Sequence, residues 1–270
     1  MPIHHAILLG LVEGLTELLP VSSTGHLILV NAVLRHESEA AKTLDVVIQL
    51  GAVLAIALYF RRHLMDHGRG LVARRTESVR LAAALLAAFL PAAVVGLLCR
   101  RWIKAHLFGP VPVAWALLVG GVAMLVVERW QRANPGESGI ERIGWRKALW
   151  IGVCQCLALW PGASRSMTTI VGGQLGRLDT RTAAEFSFLL ALPTLGAATV
   201  LDLYKGGRAL LAIPGGGAAL AIGTGVSFGV TWLVVALFLR HVSRVGMAPF
   251  AWYRLALAVV VFLCRDALRG

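Results

Sequence analysis

Apolar runs fill most of this chain, and only short polar or basic connections separate them. Ten are legible in the 270 residues: 3–19, 25–34, 44–60, 81–99, 111–128, 147–160, 166–176, 183–201, 217–239 and 249–265. No soluble domain of this size could hide so many such runs beneath a surface supplied by 15% charged residues, and the mean hydropathy of +0.74 agrees. The expected class is an all-α polytopic membrane protein, because segments in hydrocarbon must satisfy their own backbone polar groups.

A spanning helix needs about 20 residues and rarely has fewer than about 17. Runs one and two are separated only by "PVSST", runs six and seven only by "PGASR", and the second member of each pair is short. Each pair is predicted to be a re-entrant helical hairpin that dips into the bilayer and returns. Six spans remain. The N-terminal "MPIHHAILLGLVEG" lacks a basic leader and a small-residue cleavage site, so it is expected to stay in the mature fold.

The chain also repeats itself. "WPGASRSMTTI" follows "LPVSSTGHLIL" at an offset of about 141, and "AEFSFLLALPTLGA" answers "LDVVIQLGAVLA" at about 140, with Asp45 against Glu185. Both halves run in the order hairpin, acidic residue opening a helix, two further spans. Repeat 1 covers about 1–130 and repeat 2 about 140–270 of a single membrane domain. Three spans per half is an odd number, so the second half is predicted to insert upside down, an inverted repeat with broken helices near the midplane.

The net charge of +12 does not indicate nucleic acid, because the basic residues lie mostly between apolar runs, where they set topology and meet anionic head groups. Fifteen Lys and Arg fall in 61–80, 129–147, 177–182 and 240–244 on one side; nine fall in 35–42, 100–104, 205–208 and the C-terminus on the other. The richer side is expected to be cytoplasmic, leaving the termini and the entry to the first hairpin outside. The four cysteines, Cys99, Cys154, Cys156 and Cys264, sit in apolar runs and read as buried thiols.

Ionisable groups inside a bilayer are costly, at least about 2.5–3.5 kcal/mol each on insertion scales, and mark function by default. Candidates are Glu13, Glu17, Asp45, Arg165 and Glu185. Glu13 and Glu17 are four apart and share a helix face, so one holds a proton or a cation sits between them; a structural pair bonded to backbone is the bland alternative. Asp45 and Glu185 are expected to open their helices and complement the dipole. A new helix begins after each of the two breaks, and helix N-termini bind anions. Ser22, Ser23 and Thr24 on one tip and Ser164, Ser166 and Thr169 on the other add hydroxyls. Alone, such serines would read as N-caps. Arg165 adds a planar fork suited to phosphate, and His26, within a turn of Ser22 and Ser23, adds a base. Together they predict a phosphoryl site shared by two facing tips.

"VEGLTELLPVSSTGH" and "PGASRSMTT" resemble the two signature motifs of the bacterial undecaprenyl-pyrophosphate phosphatase family, the one linked to bacitracin resistance. "DVVIQLGAVLA", "EFSFLLALPT", "LDLYK" and a late "YR" fit as well, so the similarity covers nearly the whole chain. The second motif has Met167 where many members have glycine. The resemblance implies removal of one phosphate from a C55 isoprenoid pyrophosphate, recycling the cell-wall carrier lipid at the bacterial inner membrane. Carried over residue by residue, it implicates Glu13, Glu17, Ser23, His26, Ser164, Arg165 and Thr169. The expected catalytic set is Glu17, Ser23, His26 and Arg165, with Ser23 as preferred nucleophile and His26 as its base; His26 attacking directly, or water, stays open. Glu13, Ser22, Thr24, Ser164, Ser166 and Thr169 are expected to bind substrate. A divalent cation, Mg2+ or Ca2+, is expected at Glu13 and Glu17. Expected partners are the polyprenyl pyrophosphate and membrane lipids, no nucleic acid, and, as an open option, a second copy in a homodimer. The runner-up is a secondary transporter of an anionic solute or lipid, which would need no poised hydroxyl.

Overall fold

The computed structural model describes residues 2–34, 39–266 and 268. Twelve α-helices follow one another: α1 (Ile3–Thr16), α2 (Ser23–Leu34), α3 (Glu39–Val47), α4 (Gln49–Tyr59), α5 (Arg61–Val72), α6 (Thr76–His106), α7 (Pro110–Ala133), α8 (Trp145–Gln155), α9 (Arg165–Leu175), α10 (Thr180–Ala212), α11 (Gly216–Val245) and α12 (Ala248–Leu263). The only extended pairing among the described residues is one isolated bridge, Glu137 with Leu178.

Among the described residues four helices, α6, α7, α10 and α11, are long and apolar enough to cross a membrane, and the bent pair of α4 and α5 would make a fifth if it is one span. At 1.5 Å per residue the 31-residue α6 reaches about 46 Å, well past a hydrocarbon core of about 30 Å. The expected loops at 100–104, 205–208 and 240–244 are therefore helix ends rather than loops. Arg35 and Arg269 of the basic-residue count lie outside the described residues.

Two of the six expected spans differ from expectation. The run 44–60 is broken between α3 and α4, and the chain then bends by 73° into α5, within the segment read as a loop at 61–80. The sequence of α5, "RRHLMDHGRGLV", explains the bend: its charges cannot continue into hydrocarbon, whereas an amphipathic helix can lie along the interface. The last, α12, has 16 residues, just short of the usual spanning length. The placement of Asp45 and Glu185 is also corrected. Asp45 sits at the end of α3, accepting from Asn31 Nδ2 at 2.6 Å, and Glu185 lies past the first turn of α10, paired with Arg181 Nε at 2.9 Å. Each has a specific partner, so neither depends on a helix dipole.

Corresponding elements of the two halves pair reciprocally. The first hairpin's α1 packs on α11, the second hairpin's α8 packs on α6, and α7 packs on α12. Small residues four apart make this possible, because close helix approach in lipid needs short side chains. Gly10 and Gly14 of α1 meet Gly223 and Ser227 of α11, while Gly152 of α8 lies on the backbone of Ala88 in α6. The main core gathers residues of α6, α8, α9, α10 and α11 around Phe186, Phe188 and Met124. Outside it, Leu86, Leu90, Val94, Leu97 and Leu98 of α6 are exposed, as a lipid-facing surface requires.

The four basic segments share one end. Gln131 Nε2 donates to the Leu178 carbonyl at 2.6 Å, Met247 N donates to Glu128 at 2.7 Å, and Ile140–Arg142 packs against α6.

Candidate active site

Each hairpin turns through a serine in the left-handed region. Ser22 has φ of 73° and Ser164 has φ of 70°, a conformation that costs a non-glycine residue about 1–3 kcal/mol. The compensation is local and the same at both. Ser22 Oγ accepts from Gly25 N at 3.2 Å, and Ser164 Oγ accepts from Met167 N at 3.3 Å, so both are N-caps of the returning helix. The next residue, first in the helix, is Ser23 on one tip and Arg165 on the other.

The tips touch. Ser166 Oγ donates to the Leu19 carbonyl at 2.9 Å, and Arg165 Nη2 reaches Glu17 Oε1 at 3.5 Å. Arg254, fully buried in α12, joins them from behind: it donates to the carbonyls of Pro20 at 3.4 Å, Gly162 at 3.0 Å and Ala116 of α7 at 3.0 Å. Gly162 is required where it stands, since its φ is +95° and a Cβ there would lie 2.7 Å from the Val113 carbonyl oxygen. Arg254 is the residue at the site that the motifs and charge pattern did not single out. The signal was present, an arginine inside the apolar run 249–265, and the rule applied to Arg165 applies equally to it.

Between the tips lies a cleft of about 170 Å3, room for about five or six waters at about 30 Å3 each. Glu17, Ser22, Ser23 and Thr24 line it from the first tip; Gly162, Ser164 and Arg165 from the second; Gln49, Ala158 and Leu195 complete it. This volume suits a phosphate-bearing head group rather than a whole lipid.

The hydrogen bonds within it settle several side chains. Ser23 Oγ donates to Glu17 Oε2 at 2.5 Å. Arg165 Nη1 donates to the Ser187 carbonyl at 3.0 Å, and its buried Nε has no partner among the described residues. Thr169 lies behind the cleft, its hydroxyl 2.6 Å from Ser187 Oγ, and so steadies the residue that holds Arg165. Ser166 stitches the tips together. Glu13 is fully buried one turn below Glu17, and neither of its oxygens has a hydrogen-bond donor among the described residues.

His26 is not where a base for Ser23 should be. Its Nδ1 bonds the Ser22 carbonyl at 2.7 Å; a carbonyl only accepts, so Nδ1 carries the proton. In the neutral ring Nε2 then accepts from the Tyr253 hydroxyl, also at 2.7 Å, with the two rings parallel at 5.6 Å. The helical spacing of His26 and Ser23 allowed a contact, but the imidazole turns toward α12, and Glu17 accepts the serine hydroxyl's hydrogen bond in its place. Of the predicted residues, then, Glu17, Ser22, Ser23, Thr24, Ser164 and Arg165 line one cleft, while Glu13, His26, Ser166 and Thr169 surround it.

Comparison with known proteins agrees over nearly the whole length. Residues 6–260 match the family described as Bacitracin resistance protein BacA. The undecaprenyl-diphosphatase of Sorangium cellulosum (strain So ce56) is 64% identical over 258 residues, 95% of this chain and 84% of that protein. Proteins of the same name from Methylococcus capsulatus (47% identical; 95% of this chain, 93% of theirs) and Novosphingobium aromaticivorans (46%; 94% and 95%) are similar as well.

Proposed function

The chain belongs to the bacitracin resistance protein family, and from that premise we propose that it is an integral membrane phosphatase acting on undecaprenyl diphosphate. It releases the monophosphate and inorganic phosphate, returning the carrier lipid to cell-wall synthesis. The observation that carries this reading is the bond from Ser23 Oγ to Glu17 at 2.5 Å, with Arg165 across the same cleft.

Ser23 Oγ attacks the terminal phosphorus as its proton passes to Glu17, and the bond from that phosphorus to the bridging oxygen breaks. Glu17 returns the proton to the departing monophosphate. Deprotonated again, it activates the water that frees inorganic phosphate from the phosphoserine and restores the hydroxyl. Arg165 and the backbone N–H groups of the two helix tips hold the equatorial oxygens as charge shifts. His26, between Tyr253 and the Ser22 carbonyl, positions the tip that carries Ser23.

The donor set fits a divalent cation, Mg2+ or Ca2+. Glu13 has two buried, unbonded oxygens beside Glu17, and hard cations take one or two carboxylates together with phosphate oxygens. No group of three or more His, Cys, Asp or Glu converges among the described residues, so the remaining ligands would come from pyrophosphate and water. When bound, the ion would neutralise pyrophosphate charge that otherwise repels the carboxylates.

The protein is multi-pass. In the proposed arrangement its halves cross the bacterial inner membrane in opposite senses, with the basic end cytoplasmic and the cleft open to the outer side. A homodimer would leave each cleft complete, since both tips come from one chain. Cysteine placed at the exposed Arg69 should resist impermeant thiol reagents in intact cells, and cysteine at the exposed Lys205 should react; the reverse pattern would invert the orientation but not the chemistry. For the reaction, purified protein should release phosphate from C55 diphosphate, and a chelator should suppress it. A wild type that releases none would overturn the reading.

A further inference from the structure

A second groove lies at the basic end, at the start of α8, whose 11 residues run about 16 Å from there toward the second tip. Its volume is about 420 Å3. Thr76, Val79, Arg80 and Ala83 of α6 form one wall, at the three- and four-residue spacing of a single helix face that Glu77 does not share. Arg74, in the turn before α6, closes one end, and Trp145 at the start of α8 forms the other wall. Arg146 lies over the Trp145 ring at 5.3 Å.

The groove combines two chemistries. Arg74 and Arg80 are exposed, and among the described residues neither is ion-paired. Thr76 begins α6, and Gly144, which also lines the groove, precedes the first residue of α8; the starts of both helices therefore border the groove, and neither has a side-chain cap. Val79, Ala83 and Trp145 then continue into the apolar stretch of α6 that begins at Leu81. A tryptophan at this level is the usual mark of the head-group region. Two unpaired cations, next to an apolar wall on a helix that enters the membrane, complement a phosphodiester carrying acyl chains. Basic pockets between spanning helices take such lipids.

We propose that this groove binds one anionic phospholipid of the leaflet at the basic end. The phosphate sits between Arg74 and Arg80 at the start of α6, and an acyl chain runs along Val79 and Ala83 beside Trp145. The site holds a structural lipid, distinct from the substrate cleft.

Native mass spectrometry of the purified full-length protein, titrated with phosphatidylglycerol or with phosphatidylcholine of the same chains, tests this. The wild type should keep one phosphatidylglycerol under conditions that strip phosphatidylcholine. The double variant Arg74→Gln, Arg80→Gln should lose that preference by about tenfold or more, as expected when two charge contacts to an anionic head group are removed. The equally exposed pair Arg100→Gln, Arg101→Gln, at the other end of α6, should not. Equal retention of both lipids by the wild type, or equal losses in the two double variants, would overturn the site. A second measurement does not depend on the arginine variants. Phosphatidylglycerol with brominated chains should quench a share of tryptophan fluorescence that brominated phosphatidylcholine does not, and Trp145→Phe should remove that share. Quenching that survives Trp145→Phe unchanged would place the lipid elsewhere.

Discussion

The two hairpins use one backbone for opposite purposes. Both turn through a left-handed serine that caps the returning helix, and both place their distinctive side chain at the next residue. On the first tip that residue is Ser23, with Glu17 beneath it; on the second it is Arg165, and the corresponding stretch of α8 and the turn after it, "VCQCLAL", carries no charge. Their settings differ too. Nine of the eleven residues of α9 are buried, against three of the twelve in α2. A permanent cation on a core helix is held still, whereas the polar side chains of the peripheral helix are braced by a few contacts: Glu17 for Ser23, Tyr253 and the Ser22 carbonyl for His26, Asp45 for Asn31. In the proposed reaction the two similar helix ends divide the work, one carrying the reactive hydroxyl and the other the clamp.

Exchanging the clamp should have the largest effect. Arg165→Ala should lower turnover by about 10³-fold or more, by analogy with arginines that hold a transferring phosphoryl group. Arg165→Lys should recover little, because a point charge cannot reproduce the two-pronged contact. Both variants should stay folded. A folded Arg165→Ala protein that turns over near the wild-type rate would remove the division of labour between the tips and favour anion transport.

The reactive tip comes next. Ser23→Ala and Glu17→Gln should each lose about 10²–10⁴-fold in turnover, the usual range for a missing proton acceptor and the least expected for a missing nucleophile. His26→Ala should lose less than Glu17→Gln, since the imidazole faces Tyr253. The reverse order in side-by-side assays would restore His26 as the base.

The brace between the tips should show in stability first. Arg254→Met leaves the buried carbonyls of Pro20 and Gly162 in the two turns without their donor, at about 1–3 kcal/mol for each that finds no water. A clear drop in melting temperature is expected in detergent. Gly120→Ala should act in the same direction and more weakly, because a Cβ there collides with the Arg254 guanidinium. Unchanged melting in both variants would mean that the tips hold together without it.

The smallest effect tests the symmetry itself. Ser22→Ala and Ser164→Ala should each cost about 0.5–2 kcal/mol through loss of the cap. Glycine at either position should be milder, since it adopts a positive φ freely. If one serine is indifferent and the other critical in thermal unfolding, the tips are not equivalent as caps.

Much of this was written along the chain. Length of run against bilayer thickness gave the class, and the two short broken pairs gave the hairpins, because neither inference depends on what a segment packs against. The tips' residues were legible for the same reason: a charge or hydroxyl cluster in an apolar run is anomalous wherever it ends up. Contacts over long sequence separations were not legible. Nothing in the spacing of His26 and Ser23 shows that the imidazole turns to a tyrosine 227 residues away, or that Glu17 is nearer the serine hydroxyl. Nor does Asp45 announce Asn31 as its partner. The bend after Tyr59 was half legible, since the charges of α5 forbid a straight course but do not choose the new one. Sequence alone fixed which groups must be sheltered from lipid, because burying a charge is costly in any fold. Only the tertiary structure decided which group faces which, because that depends on how close Gly10, Gly14 and Gly152 let their helices approach, and on Arg254 holding Pro20 and Gly162 together.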